Sequence, residues 1–361
     1  MKDSLFESSE LQEQPLQEAF TIPSSWYTSH DVHSIDTRHI LFNSWQYVGA
    51  LTRVANPGDF LTATIAGNPV VVVRDNDGSL KGFYNVCKHR GGPLETEPCG
   101  TIRMLQCKYH GWTYKLDGTL RGVPRFEKTD LFDKKDFGLV PIHIDTWKGL
   151  IFARLGTDES SLGSQLEGIA ERVNPMDPAS LKYYSSVTYN VKCNWKVYVD
   201  NFLEGYHLPL VHPELCDAIS YADYVTETYE TYSLQHSSFR DESSERAYYY
   251  FVFPNIMLNI LPGRLQVNSI VPLTADTTEV IFDYFYDDIS SSEATKKIED
   301  DQAFADRVQW EDIEICEHVQ RGLESVAYDK GRFSAETEAG VHHFQRLLKR
   351  SYSNYLSAKT K

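Results

Sequence analysis

A cysteine and histidine pair occurs twice in this chain, as Cys87-Lys-His89 and as Cys107-Lys-Tyr-His110. Two thiolates and two imidazoles in short loops can hold two irons and two sulfides, with both cysteines on one iron and both histidines on the other. A structural zinc site usually has Cys-x2-4-Cys followed by His-x3-5-His instead. The pattern therefore predicts a [2Fe-2S] cluster and a fold that brings the two loops together.

A second set of candidate metal ligands lies in the segment Glu204-Gly-Tyr-His207-Leu-Pro209-Leu-Val-His212. On one ideal helix the two histidines would be about 140° apart, and Pro209 should end or kink such a helix. We therefore expect His207 in a last helical turn and His212 in the segment that follows. Glu204 should share a helical face with His207. Together with the cluster motif, this pair predicts a mononuclear iron site.

Non-haem ferrous sites use two histidines and one carboxylate and leave other positions on the metal open. The third ligand should come from the acidic run at residues 309–317. Asp312 is the preferred candidate because its short side chain suits a fixed ligand, but spacing alone does not separate it from Glu311 or Glu314. We expect at least three of the four acids in this run to form a solvated helix face.

The remaining pattern predicts an α+β chain. The front of the chain alternates β-branched runs with turns, and Asp75–Gly78 and Asp117-Gly118 should close hairpins. Further along, residues 183–191 and 248–286 are typical of strands, interrupted by turns at Pro254-Asn255 and Pro262-Gly263. Residues 159–175 carry mixed helical signals. From about residue 296 apolar side chains recur at helical spacing; these are Phe304, Val308, Ile315, Val319 and Leu323.

These patterns predict three parts. Residues 46–156 should form a small all-β domain that carries the [2Fe-2S] cluster. Residues 157–361 should form a larger catalytic domain, an antiparallel sheet flanked by helices. Residues 1–45 should be an N-terminal segment that packs with this larger domain.

Composition excludes several kinds of protein. The net charge of −16 argues against a nucleic-acid partner, and no run of eighteen apolar residues predicts a membrane span. The N-terminus lacks the pattern of a secretory signal. We expect the four cysteines outside the cluster motif to be reduced thiols in a cytoplasmic protein. No Gly-x-Gly-x-x-Gly follows a strand, so a flavin or nicotinamide reductase should be a separate chain.

Residues 85–90 and 107–112 resemble the two halves of the Rieske box. From about residue 25 to residue 350 the chain resembles the catalytic α subunit of a Rieske non-haem iron oxygenase of the ring-hydroxylating superfamily. Within that superfamily it is most similar to the branch of choline monooxygenase and of carnitine and glycine betaine oxygenases. The segments that carry this similarity are Pro23-Ser-Ser-Trp-Tyr27, Asn194-Trp-Lys196, Glu311-Asp312 through Cys316-Glu317, Val319-Gln-Arg-Gly-Leu-Glu324 and Gly340-Val-His-His-Phe344.

The resemblance implies a role for each candidate residue. The cluster ligands would be Cys87, His89, Cys107 and His110. The ligands of mononuclear Fe(II) would be His207, His212 and Asp312. The resemblance also implies dioxygen as a substrate, electrons from a separate reductase or ferredoxin, and a head-to-tail homotrimer. In such a ring Glu204 would link His207 to His89 or His110 of the adjacent chain.

The resemblance further implies a small substrate, which we expect to be a quaternary ammonium compound such as choline, a betaine or carnitine, oxidised or N-demethylated. Aromatic rings recognise such cations through cation–π attraction, and five aromatic residues lie at 248–253. An aromatic-ring substrate is the alternative, because the same rings could stack on it. A Rieske electron carrier is a more distant alternative, since a carrier would not need the second metal site.

Overall fold

The structure, a computed structural model, describes residues 5–157, 160–240 and 245–359. The chain divides into two compact units. The smaller unit is Leu41–Leu162, and the larger unit combines Met1–Ile40 with Gly163–Lys361. The predicted domain boundaries near 46 and 156 remain predictions, a few residues inside the limits of the smaller unit.

The smaller unit is built from ten strands in three antiparallel sheets. The strands are β1 (Gln46–Ala50), β2 (Asp59–Ile65), β3 (Asn68–Arg74), β4 (Leu80–Tyr84), β5 (Cys99–Thr101), β6 (Leu105–Gln106), β7 (Thr113–Tyr114), β8 (Leu120–Gly122), β9 (His143–Trp147) and β10 (Leu150–Arg154). The sheet orders are β1-β10-β9, β4-β3-β2-β5 and β6-β7-β8. Short 3₁₀ helices lie at Leu41–Asn43, Leu51–Val54 and Lys134–Phe137.

Strand β3 explains why the run Val70–Val73 is continuously apolar. All four valines are fully buried, because alternate side chains of a strand point to opposite faces and both faces are covered here. Val71 and Val73 pack in the core that contains Cys87 and Cys107, whereas Val72 packs with Ile151 of β10. Strand β3 therefore contributes to the core in which both candidate cluster cysteines are buried.

The two predicted hairpin turns of this unit are confirmed. Asp75–Gly78 joins β3 to β4, and the Gly78 N–H donates to the Asp75 carbonyl at 3.0 Å. Gly78 and Gly118 have φ of 85° and 83°, in the left-handed region that favours glycine. Both candidate ligand loops lie at strand ends, one after β4 and one between β6 and β7.

The larger unit contains one seven-stranded antiparallel sheet with the order β11-β17-β16-β15-β14-β13-β12. Its strands are β11 (Lys182–Val191), β12 (Val225–Thr228), β13 (Tyr232–Ser238), β14 (Arg246–Val252), β15 (Ile256–Leu261), β16 (Arg264–Pro272) and β17 (Thr278–Tyr286). This sheet confirms the predicted strands at 183–191 and 248–286, together with both predicted turns between them.

Helices accompany the sheet of the larger unit. They are α1 (Ser24–Thr28), α2 (His30–Ile35), α3 (Leu162–Gln165), α4 (Ile169–Arg172), α5 (Trp195–Phe202), α6 (Leu208–Val211), α7 (Pro213–Ala218), α8 (Ser292–Leu323) and α9 (Ala339–Lys359), with a π-helix at Asp36–Ile40 and 3₁₀ helices at Pro178–Ser180 and Tyr221–Asp223. The predicted α+β class is confirmed. Among the described residues, no helix is both long enough and apolar enough to cross a membrane.

Helix α8 begins where its sequence provides a cap, because the Ser291 hydroxyl accepts from the Ala294 N–H at 3.1 Å. The predicted helix is confirmed, but the predicted apolar stripe is only partly buried. Val319 is 44% exposed, whereas Ile313 and Cys316 are buried. Two members of the stripe, Phe304 and Val308, line a cavity instead of packing in the core.

The N-terminal residues of the larger unit are fixed by a buried polar cluster around Asp36. Its carboxylate accepts hydrogen bonds from Trp195 Nε1 at 3.0 Å and from the Tyr352 hydroxyl at 2.5 Å. It also pairs with the ammonium group of Lys196, and both side chains are fully buried. Trp195 and Lys196 open α5, so this cluster fixes the helix that leads to the candidate iron ligands.

Candidate metal centres and the adjoining cavity

The two loops of the smaller unit place Cys87 and Cys107 in its core, where both are buried. Each loop is closed by a pair of backbone hydrogen bonds. In the first loop, Cys87 N donates to Gly92 O at 2.9 Å, and in the second, Cys107 N donates to Trp112 O at 2.8 Å. A Cβ atom on Gly92 would lie 3.0 Å from Cys107 Sγ, so a glycine lets the loops meet closely.

The histidines of these loops lie side by side. The rings of His89 and His110 have centroids 4.7 Å apart, and His89 stacks on the buried Trp112 at 4.9 Å. Nδ1 of His89 is buried and has no hydrogen-bond partner among the described residues. A buried ring nitrogen without a partner fits a metal ligand, so the residues present suit a cluster held by two thiolates and two imidazoles.

Tyr114 is a cluster-site residue that the sequence analysis missed. Its hydroxyl lies 3.3 Å from Cys87 Sγ and accepts from the Lys88 N–H at 3.0 Å. Burial raises the pKa of this hydroxyl well above its ordinary value, so the hydroxyl keeps its proton and can donate it to the sulfur. Burial also raises the pKa of the Cys87 thiol. A cationic iron would offset the cost of the thiolate there.

The chain around His207 differs from the prediction. Helix α5 ends at Phe202, and His207 precedes the short helix α6 instead of lying in a last helical turn. The expected break at Pro209 is also wrong, because Pro209 lies in the first turn of α6, where its missing N–H leaves no bond unmade.

In place of the expected helical face, residues 204–207 form a turn around the carboxylate of Glu204. Glu204 Oε2 accepts from the backbone N–H groups of Tyr206 and His207, the latter at 3.1 Å. Its other oxygen lies 2.7 Å from His207 Nδ1. The predicted contact between Glu204 and the first histidine therefore exists, but a loop produces it.

His207, His212 and Asp312 converge in the larger unit, with one candidate ligand atom from each within 4.8 Å of the others. Asp312 Oδ1 lies 2.9 Å from His212 Nε2 and 3.8 Å from His207 Nε2. Two imidazoles and one carboxylate on one side of a shared point fit a ferrous ion with open positions. Although burial lowers it, the carboxylates of Asp312 and Glu311 raise the pKa of His212 overall, so this pocket favours a cation.

The four acids of the 309–317 run have three different environments. Asp312 faces the histidines, and Glu311 Oε2 lies 2.6 Å from His212 Nδ1. Glu317 accepts from the Lys192 N–H at 3.1 Å, whereas Glu314 is exposed. Glu311 is also exposed and Glu317 is partly exposed, so three of the four acids lie on a solvated face as expected, although Glu311 at the same time contacts His212. Neighbouring residues on a helix point in directions about 100° apart. Only the fold shows that Glu311 and Asp312 nevertheless both contact His212.

Asn201 and Asp200 are further residues that the sequence analysis did not single out. The side-chain amide of Asn201 donates to Asp312 Oδ1 at 2.6 Å, which orients that carboxylate. The adjacent Asp200 accepts from the Tyr27 hydroxyl at 2.5 Å and from Gln345 Nε2. Burial raises the pKa of Asp200 to about 7.

A cavity of about 310 Å³ adjoins the histidines and Asp312. One side is the face of the sheet, and the other is the face of α8 between Asp301 and Asp312. Seven aromatic residues line it, namely Tyr198, Phe202, Tyr224, Phe239, Tyr249, Phe282 and Phe304. Of the five aromatic residues expected from 248–253, Tyr249 is the one that lines this cavity; Tyr250 and Phe251, for example, are buried in the core.

Comparisons with known proteins agree with this site. Residues 44–140 match the family described as Rieske [2Fe-2S] domain, and residues 178–354 match the family described as Ring hydroxylating alpha subunit (catalytic domain). The chain is 35% identical to choline monooxygenase, chloroplastic, of Arabidopsis thaliana, over 92% of this chain and 83% of that protein. It is 30% identical to the carnitine monooxygenase oxygenase subunit of Acinetobacter baumannii, over 91% and 94%.

Solved structures have the same fold. The quaternary ammonium Rieske monooxygenase CntA with an inhibitor aligns at a TM-score of 0.87 and 28% identity, covering 94% of this chain and 99% of that chain. A naphthalene 1,2-dioxygenase aligns at a TM-score of 0.77 and 20% identity, covering 95% of each, which shows the shared fold alone. Two predicted metal sites, the matched domains and these relatives lead to one conclusion. The chain belongs to the Rieske non-haem iron oxygenases, as a catalytic alpha subunit that uses a Rieske [2Fe-2S] cluster and mononuclear iron, with dioxygen and a reductase or ferredoxin as its partners.

Proposed function

We propose that this oxygenase oxidises a small quaternary ammonium compound in the cavity beside His207, His212 and Asp312. The observation that carries the proposal is the aromatic lining of that cavity, with seven rings around about 310 Å³. Each aromatic face attracts a quaternary ammonium group by roughly 0.5 to 2 kcal/mol. Relatives named choline monooxygenase and carnitine monooxygenase support the same class of substrate.

The side chains divide the work between two sites. We assign Cys87, His89, Cys107 and His110 to the cluster, with the buried, unpartnered Nδ1 of His89 in support. We assign His207, His212 and Asp312 to the mononuclear iron, supported by their convergence.

When bound, the cluster supplies single electrons and the mononuclear iron supplies the position at which dioxygen reacts. Two side chains hold the ligands of that iron in place: Asn201 orients Asp312, and Glu311 orients His212. The aromatic walls hold the substrate beside the open positions and exclude water from them.

We further propose a homotrimer in which Glu204 connects the two kinds of site across a subunit boundary. Glu204 lies 2.7 Å from His207 Nδ1. Exposed apolar side chains flank both sites, with Tyr109 beside His110 and Leu210 close to His207, at 58% and 87% exposed. Such side chains are typical of surfaces that become buried on assembly. The structure of a quaternary ammonium Rieske monooxygenase that has the same fold is described as giving insights into inter-subunit electron transfer.

We propose a cytoplasmic location on the basis of the cysteines. None of the six cysteines forms a disulfide, and Cys99, Cys193, Cys216 and Cys316 lie outside the cluster motif. Free thiols persist in reducing compartments.

A substrate comparison tests the proposed function. The holoenzyme, supplied with a surrogate reductase, should consume oxygen with choline, betaines or carnitine and release the oxidised product. Simple aromatic acids serve as the contrast. Turnover of aromatic acids without turnover of any quaternary ammonium compound would reject the proposal.

The link through Glu204 has its own test. Glu204→Gln removes the charge next to His207 but keeps the size, so both metal centres should remain while cluster reoxidation becomes much slower. Rapid mixing of the reduced enzyme with substrate and oxygen measures that rate, and Glu314→Gln is the control on an exposed acid. A reoxidation rate equal to that of the unmodified protein would exclude Glu204 from the electron path.

A further inference from the structure

The cavity beside the iron ligands has a distinct far end. Along α8 the lining residues Asp301, Phe304, Ala305, Val308 and Asp312 recur at helical spacing, so they form one face of the helix. Asp312 reaches the histidines, and Asp301 is eleven residues earlier. At 1.5 Å per residue, the Cα atoms of these two acids are roughly 16 Å apart. The cavity therefore extends from the candidate iron site toward Asp301.

A cation occupies that far end. Arg264 lies at the start of β16 and is the one lysine or arginine among the described residues that line the cavity. Its side chain is 13% exposed. Because alternate residues of a strand share a face, Arg264 lies in one row with Gln266 and Asn268, and both of these are buried in the cavity wall. A nearly buried guanidinium in a mostly apolar cavity needs anionic or polar partners.

The partners of Arg264 within the described chain leave much of its hydrogen-bonding capacity unused. Asp301 Oδ2 lies 2.9 Å from Nε, yet the N–H does not point at it, and this buried nitrogen has no hydrogen-bond partner. The same Asp301 oxygen accepts from the Tyr286 hydroxyl at 2.6 Å. One N–H group of Arg264 donates to Gln266 Oε1. A guanidinium has five N–H donors, so donors remain for a further acceptor.

Neighbouring polar groups orient the guanidinium. Gln266 accepts from Arg264 and donates from Nε2 to Asn268 Oδ1 at 2.8 Å, and the guanidinium carbon lies over the ring of Tyr284, 5.7 Å from the ring centroid. Asn259 of β15 is in register with Gln266, and its buried Oδ1 has no hydrogen-bond partner among the described residues. The far end is thus a polar site with unfilled hydrogen bonds, whereas α8 contributes the apolar Phe304, Ala305 and Val308 to the wall between Asp301 and Asp312.

We propose that Arg264 binds an anionic group of the substrate, so that this oxygenase prefers a zwitterion with a quaternary ammonium at one end and a carboxylate at the other. This inference rests on the proposed function. The ammonium group lies among the aromatic rings near the candidate iron site, and the carboxylate accepts from the free N–H groups of Arg264. A guanidinium presents paired donors that match the two oxygens of a carboxylate.

The same geometry disfavours choline. Choline has a cation and a neutral hydroxyl, so its binding would leave the Arg264 donors unpaired in a site from which water is displaced. A site built to bind a polar group rejects an analogue that lacks the group, because its own buried partners stay unsatisfied. Arg264 therefore determines specificity and takes no part in the oxidation itself.

The test compares two ligands of equal length on the holoenzyme, kept without reductase so that no turnover occurs. One is γ-butyrobetaine and the other is its carboxamide, which has the same cation and chain but no negative charge. Calorimetric titration should give a dissociation constant about 10- to 100-fold lower for the carboxylate, as expected for charge-assisted hydrogen bonds. In Arg264→Met this ratio should fall to about one, and Arg264→Lys should restore part of it.

Control variants and ligands distinguish a failure of the Arg264 proposal from a failure of the proposed function. Arg307→Met, on the exposed side of α8, should keep the ratio of the unmodified protein. If Arg264→Met fails to fold because Asp301 loses its partner, the double variant Arg264→Met/Asp301→Asn removes both charges and allows the same comparison. An unchanged ratio in a folded Arg264 variant, or equal binding of the two ligands to the unmodified protein, would overturn the inference. Failure of both ligands and of choline to bind would instead refute the proposed function.

Discussion

Both ring nitrogens of His212 have a carboxylate neighbour, Asp312 at Nε2 and Glu311 at Nδ1. A ligand histidine whose other nitrogen is held by a carboxylate keeps one tautomer and one ring orientation. Glu311→Gln should therefore lower the affinity for mononuclear iron about 10- to 100-fold and leave the cluster intact. Iron analysis after dialysis against a chelator measures this loss. The same result with Glu314→Gln, which alters an exposed acid, would contradict the assignment.

Tyr114 provides a second prediction for a single side chain. Its hydroxyl is positioned to donate to Cys87 Sγ, and hydrogen bonds to cluster sulfurs raise the reduction potential by stabilising the reduced, more negative cluster. Tyr114→Phe should shift the potential to more negative values while keeping the cluster spectrum. A redox titration followed by electron paramagnetic resonance checks this, with Tyr47→Phe on β1, away from both cluster loops, as the control. An unchanged potential in Tyr114→Phe would show that the hydroxyl does not act on the sulfur.

How far the sequence determines the sites depends on the residue. The short spacing of the cluster motif pointed to four candidate ligands, because a loop of three or four residues leaves few other arrangements. Asp312 was preferred over Glu311 and Glu314 only by side-chain length, since helical spacing does not show which acid faces the histidines. Asn201, Tyr114 and Arg264 could not be found, because each acts through a contact that the fold makes between distant segments.

Helix α5 connects several elements of the larger unit through Asp200. Tyr27 of α1 and Gln345 of α9 both donate to this carboxylate. Burial raises its pKa from the ordinary 3.8 to about 7. Between these two values the folded protein holds a proton that the unfolded chain releases, so the contribution of Asp200 to stability decreases as the pH rises through this window.

Asp200→Asn should remove this pH dependence. Between about pH 4 and pH 7 the unmodified protein should lose more stability than the variant, with a slope difference of at most about 1.4 kcal/mol per pH unit. Urea unfolding at several pH values measures the slopes, and Asp300→Asn on the exposed side of α8 is the control. Parallel slopes for the unmodified protein and Asp200→Asn would contradict the prediction.

At the level of elements, the strands and α8 were predicted well because alternation, turn residues and a long helical period are local signals. The segment at 203–212 was predicted poorly. Helix α5 ends before it, because the Glu204 side chain accepts from two backbone N–H groups. Such side-chain hydrogen bonds compete with those of a helix. Proline then lay in the first turn of a new helix, where it is tolerated, and not at a helix end.

The whole molecule should assemble as a trimer of 41.3 kDa chains. Leu210 is 87% exposed, close to Glu204 and His207, and a charge on this side chain should prevent its burial at a subunit contact. Leu210→Glu should therefore sediment as a smaller species at a given concentration, with the iron and cluster contents unchanged. Val326→Glu, at another exposed apolar residue, is the control. A variant that sediments like the unmodified protein would exclude Leu210 from the contact.

Helix α8 carries Asp312 and Asp301 on one continuous rod without a proline between them. The separation between Asp312, beside the candidate iron site, and Asp301, beside Arg264, is therefore set by the regular rise of one helix and not by a movable loop. For a series of trimethylammonium acids that differ by single methylenes, one chain length should place the reacting methyl correctly. Shorter acids would reach only one end at a time, and longer acids would have to fold back on themselves.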